Sequence, residues 1–143
     1  MVKPAHKAGW NLPGGSAHPG ESIAQTAARE LRNKTGLIRR PTHFLTLDQV
    51  PAGADGTSAE GLNVVCEGGV LTDEEAGALA LPAATGGELT ACALIAPADL
   101  SRHAGPDQEA RVREALDALE RGNELPLLIL GEPADQPHPA PAN

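Results

Sequence analysis

The sequence predicts an α/β domain of layered helices and strands, on three observations. Two segments, opening after Ser22 and after Thr72, carry complete helix-start signals. Short runs rich in Val, Leu and Thr, bounded by Pro and Gly clusters, alternate with the helical segments as strands do. The 143 residues fit one core of ordinary size and leave no room for two.

Along the chain, residues 1–21 read as loop. Pro4, Pro13, Gly14, Gly15, Pro19 and Gly20 interrupt any period, which leaves at most a short strand near the start. A helix is expected over 22–34, with Ser22 as N-cap and Gln25 completing a capping box. Ile23, Ala27 and Leu31, with Ala24 and Ala28, form its apolar stripe, and Gly36 stands where a left-handed C-cap belongs. Strands follow at 44–50 and 62–67, separated by the loop at 51–56. Thr72 and Glu75 cap a short helix over 73–80, and a third strand runs over 89–96, closed by Pro97. The last helix, 108–121, takes Asp107 as N-cap and lines up Val112, Ala115, Leu116 and Leu119. Its Glu109–Arg113 and Asp117–Arg121 pairs have i,i+4 spacing and read as a solvated face. Residues 125–130 form a final strand, which Pro126 confines to an edge or a start. One domain therefore spans 1–131, and the segment 132–143, with Pro133, Pro137, Pro139 and Pro141, is expected to be a disordered tail.

Composition removes several function classes. The net charge of -8 disfavours attraction to nucleic acid or to anionic lipid. No apolar run approaches the ~20 residues that span a bilayer, so no membrane role is expected. Residues 1–10 contain lysines but no apolar stretch of the kind a secretory signal carries. Cys66 and Cys92 make neither a disulfide framework nor a zinc set; they read as small buried hydrophobes, and a cytoplasmic location is the expectation. Trp10 and Phe44 are the aromatics, with no Tyr, so any stacking on a nucleobase falls to those two. The 3 Lys beside Lys+Arg 11, with 16 Gly and 13 Pro, point to GC-rich bacterial coding.

The chemistry is concentrated in 15–37. Gly15, Glu21, Arg29, Glu30, Leu31, Gly36 and Leu37 stand at the spacing G-x5-E-x7-R-E-U-x-E-E-x-G-U, where U is aliphatic. Trp10-Asn11-Leu12-Pro13-Gly14-Gly15 precedes them as W-x-L-P-G-G. In these motifs the sequence resembles the Nudix (MutT-like) hydrolase superfamily. The resemblance implies an α/β/α layered domain with a mixed sheet. Only nine residues precede Trp10, so one or two N-terminal strands of the family's sheet are expected to be missing, and the exposed edge favours a homodimer.

The resemblance also implies roles. The box places carboxylates at i, i+3 and i+4 on one helix edge, where they hold Mg²⁺ or Mn²⁺, and the metal grips a substrate diphosphate. Here the glutamate pair is replaced by Asn33 and Lys34, so the formal charge at positions 30, 33 and 34 falls from the family's -3 to zero. Metal binding is therefore expected to be weak or absent, and Lys34, one turn after Glu30, is placed to set an ammonium near the vacated metal position. Glu30 remains as acid/base or single metal ligand, with Glu88 as a further metal carboxylate and Lys34 as a working residue. Glu21 and Arg29 are implied to form a salt bridge bracing loop against helix, Gly15 and Gly36 to shape the turns, and the Gly14 carbonyl to resemble a metal ligand. His18 and Trp10 are candidates for ligand contact, His6 and His18 flank the glycine turn, and Glu74 and Glu75 are better explained by helix capping.

Three functions stay open on these residues. One is a hydrolase of nucleoside diphosphates linked to another moiety, with impaired or altered metal dependence. Another is an inactive binding module for a small phosphate or diphosphate, in which Lys34, with Arg32 or His18, holds the anion. The third is a metal-independent isomerase, lyase or cyclase using Glu30 and a histidine.

Overall fold

The computed structural model describes residues 1–135; 136–143, most of the expected tail, lie outside the described residues. The strands are β1 (Val2–Pro4), β2 (His43–Val50), β3 (Gly61–Cys66), β4 (Leu89–Cys92), β5 (Leu125–Pro126), β6 (Leu128–Ile129) and β7 (Glu132–Pro133). The helices are α1 (Ile23–Thr35), α2 (Asp73–Ala78), α3 (Leu100–His103) and α4 (Pro106–Glu120). This is the expected mixture of helix and sheet. Strand direction differs from expectation: every pairing among the described residues is antiparallel, in groups β1-β4, β3-β2-β5 and β6-β7, where a mixed sheet was foreseen. The three groups do not join edge to edge, so no parallel neighbours meet among the described residues.

Helix α1 follows its local signals closely. Ser22 accepts from the Gln25 N–H, Gln25 Oε1 accepts from the Ser22 N–H at 2.8 Å, and Gly36 closes the helix at φ 76. Its buried face corrects the predicted stripe. Thr26 and Thr35 are the buried positions while Ile23 is 48% exposed. Both hydroxyls are satisfied at once, Thr26 Oγ1 donating to the Ser22 carbonyl at 3.0 Å and Thr35 Oγ1 to the Leu31 carbonyl at 2.6 Å.

Other departures have equally local causes. Helix α4 starts at Pro106 with Gly105 as cap, not at Asp107, because proline suits the first helical position, where no N–H is needed. The short α3 before it was not foreseen. Strand β4 ends at Cys92 and not at 96, since its partner β1 is three residues long. The stretch 125–130 breaks into β5 and β6 around Leu127, which is buried, and Leu130 takes φ 53. Helix α2 ends at Ala78 and not at 80. Cys66 and Cys92 lie in strands but are only half-buried, and burial raises both thiols. Glu132 and Pro133, the first residues of the expected tail, pair with Ile129 and Leu128.

The core comprises Val2, Leu89, Leu100, Val112, Ala115 and Leu127. Helix α4 packs on β2, where Arg111 pins Asp48 at 2.6 Å and 2.7 Å, and α1 packs against β3 and β4. These contacts fix the C-terminal end of α1 beside the segment 82–89, which makes the wall of the cleft described next. Among the described residues no helix is long and apolar enough to cross a membrane.

Candidate functional site

The segment 14–36 folds as a loop turning into α1, and two cations hold it. Arg29 is the first. Its Nε and Nη2 donate to the two oxygens of Glu21 at 2.7 Å and 2.8 Å, and Nη2 also reaches the Ser16 carbonyl at 3.1 Å. Glu21 accepts further from the His18 N–H at 3.0 Å, and the Thr26 hydroxyl, 3.0 Å away, shares its one proton between Glu21 and the Ser22 carbonyl. The Arg29 guanidinium foremost, then the His18 N–H, hold the Glu21 carboxyl down at about 2, and Arg29 is itself raised by Glu21.

Lys34 is the second. Its ammonium lies 3.1 Å from Glu30 Oε2 and also donates to the Gly14 carbonyl. Arg29 Nη1 contacts Glu30 Oε1 from the other side. Glu30 is mostly enclosed, its side chain 12% exposed. Desolvation pushes its carboxyl up, but hydrogen bonds from Lys34 and Arg29 outweigh that, and the net displacement is downward. Gly15 makes this seat possible: a Cβ there would meet the Glu30 carboxylate at 2.6 Å.

Glu30, Asn33 and Lys34 line one side of a cleft of about 510 Å³. The opposite side comes from Pro82, Thr85, Gly86 and Glu88, so Glu88 shares the cleft with Glu30. Arg32 also lines it, exposed, with no ion pair among the described residues. Trp10 and His18 are not brought to the cleft wall. Trp10 packs edge-on against His103 with centroids 6.1 Å apart, and the His18 side chain is exposed, as is that of His6. Glu75 caps α2 and also pairs with Arg39 at 2.8 Å. Among the described residues no three His, Cys, Asp or Glu side chains converge as a metal cluster. Of the 82–88 wall the sequence singles out Glu88 alone; the rest has no periodicity and gains its place only through the tertiary fold.

The family model of the NUDIX domain matches residues 1–116. The chain belongs to the Nudix family. Its curated Nudix relatives include the phosphatase NudJ of Escherichia coli strain K12 and that of Shigella flexneri, each 42% identical over 43 residues. That match covers 30% of this chain and 28% of the relative, so it speaks for a segment and not for a whole protein. Among solved structures, the MutT protein of Methanosarcina mazei Go1 superposes with a TM-score of 0.58 at 20% identity, covering 85% of this chain and 82% of that one. The likeness is one of fold.

Proposed function

We propose that this chain descends from hydrolases of nucleoside diphosphates linked to another moiety, and that its metal-dependent activity is impaired because Lys34 supplies the positive charge a divalent cation brings elsewhere in the family. One observation carries the reading: the Lys34 ammonium contacts the Gly14 carbonyl and the Glu30 carboxylate together. Mg²⁺ asks for near-octahedral oxygen ligation. The donors at this edge are one carboxylate already paired with two cations, a carbonyl paired with one of them, and the Asn33 amide. That set does not fit a divalent cation. The test is turnover of a broad panel of nucleoside diphosphate conjugates with Mg²⁺ or Mn²⁺. Background rates are expected; turnover well above background that Glu30→Gln abolishes would refute the reading.

A second reading, a binding module for a small phosphate or diphosphate, is favoured by the cleft's donors. A lysine ammonium has three N–H groups, and two are engaged in Lys34. The third, with the exposed Arg32 guanidinium, suits a phosphate head held without hydrolysis. The same account takes 1–131 as one cytoplasmic domain that self-associates as a homodimer. Leu47 and Leu62, on paired strands, are 58% and 66% exposed, which supports association. Light scattering at micromolar concentration is expected to give twice the chain mass, and a stable monomer would remove the dimer.

A further inference from the structure

The phosphate cleft does not end at Lys34. The helix terminus that supplies Arg32, Asn33 and Lys34 continues through Gly36 into a second groove of about 530 Å³, and Pro82 lines both. The lining changes character at that residue. Beyond it the groove presents five aliphatic side chains, Leu37, Ile38, Ala78, Leu79 and Leu81, beside Thr35 and the paired Arg39 and Glu75. Ile38 is 72% exposed although it belongs to this apolar lining.

The groove is built before any ligand arrives. Arg39 donates to the Gly68 carbonyl at 3.1 Å and to Glu75 Oε2 at 2.8 Å, pinning the segment after α1 to α2. The Glu75 carboxyl is held low, first by Arg39 and then by the Thr72 N–H, so this pin is charged under ordinary conditions. Neither aromatic is available here. Trp10 packs on His103, and Phe44 sits in β2 opposite Cys66 and Leu125. A nucleobase seated in this groove would find no ring to stack on, whereas a hydrocarbon chain would find the aliphatic side chains of Leu37, Ile38, Leu79 and Leu81, with the Arg39–Glu75 charges already neutralised by each other.

We propose that the ligand is an aliphatic phosphate or diphosphate ester, its head at Arg32 and Lys34 and its hydrocarbon body along Leu37, Ile38, Leu79 and Leu81. The proposal rests on the reading of the cleft as a phosphate site and adds the class of the rest of the molecule.

Calorimetric titration with inorganic phosphate, n-butyl, n-hexyl and n-octyl phosphate below their micellar concentrations, and AMP tests it. Affinity is expected to rise with chain length, by roughly fourfold for each fully buried methylene and less in a groove open on one side. AMP is expected to bind no more tightly than inorganic phosphate. Ile38→Asn, a neutral polar change at an exposed position, should flatten the chain-length series. Arg32→Ala should weaken every phosphate alike and keep the slope. Phosphate binding with no dependence on chain length overturns the aliphatic proposal and leaves the cleft reading standing. AMP binding more tightly than octyl phosphate overturns it in favour of a nucleotide. No binding by any phosphate overturns both.

Discussion

Arg29 and Lys34 lie on the same helix, and each donates to a glutamate and to a backbone carbonyl of the preceding loop. Arg29 takes Glu21 and Ser16 and also reaches Glu30; Lys34 takes Glu30 and Gly14. The partners differ in what else they are for. Glu21 is satisfied entirely within the protein, by the guanidinium, an N–H and a hydroxyl, so its pairing is a brace between loop and helix. Glu30 lines the cleft, and on the proposed reading the Lys34 ammonium, bound to it and to the Gly14 carbonyl, occupies the place of a metal. The brace and the metal edge share Arg29, whose Nη1 reaches Glu30, but only the edge takes the Lys34 ammonium. On that reading, one segment keeps the loop-to-helix brace and changes the charge at its cleft edge.

The largest effect should come from reversing that change. Asn33→Glu with Lys34→Glu puts three carboxylates at i, i+3 and i+4 and frees the Gly14 carbonyl. The double variant should gain a Mg²⁺ site of sub-millimolar affinity by calorimetry, with metal-dependent hydrolysis of at least one nucleoside diphosphate conjugate that Glu30→Gln removes. Clustered carboxylates repel, so its apo form should melt slightly lower and recover when Mg²⁺ is added. Metal binding without hydrolysis across the panel would mean that the pocket has diverged along with its edge.

Breaking the brace should act on stability. Arg29→Ala leaves Glu21 and Glu30 each without a guanidinium, and Tm should fall by on the order of 5 °C. The pH dependence should change as well. Glu21 has a folded pKa of about 2 against the ordinary 4.5, so it binds fewer protons folded than unfolded. Its contribution is present above pH 4.5 and lost as pH falls toward 2. Urea denaturation across that window should show wild-type stability falling with acid and a shallower fall in Glu21→Gln. Equal slopes would mean that the brace carries no linkage.

A smaller and more local effect belongs to Gly15, which lies against the Glu30 carboxylate. Gly15→Ala pushes a methyl into the Glu30 carboxylate, the free end of a flexible side chain, so the fold should survive with little loss of Tm. The displaced carboxylate should release Lys34, and the Lys34 ammonium signal in NMR should change while the Arg29 guanidinium stays paired with Glu21. An unchanged Lys34 signal would show that the ammonium is held by the Gly14 carbonyl alone.

What was legible in the sequence divides along the same physical line. The caps of α1 and α2 lie within three residues of their partners, so Ser22 with Gln25 and Thr72 with Glu75 announce themselves. The Lys34–Glu30 pair is equally local, one helical turn apart. Helix α3 is a single turn, too short for a 3.6-residue period to show, and α4 was placed late because Pro106 reads as a breaker before it reads as a first helical residue. Strand lengths depended on distant partners: β4 stops where β1 runs out. Glu88 was chosen among many acids and does line the cleft, but Arg32's position there and the aliphatic groove past Pro82 arise from packing between segments far apart in the chain. Burial of Thr26 and Thr35 was hidden because local hydroxyl bonds, not apolar character, make it tolerable.

The central claim, that the Lys34 ammonium stands in for a divalent cation, is tested most directly by titrating Mn²⁺ into the wild-type protein and into Lys34→Ala and following paramagnetic relaxation of water protons. The account predicts no sub-millimolar site in the wild type and detectable, still weak, binding in Lys34→Ala, where the Gly14 carbonyl and Glu30 Oε2 are released while Arg29 keeps Oε1. A sub-millimolar Mn²⁺ site in the wild type that disappears in Glu30→Gln would contradict it.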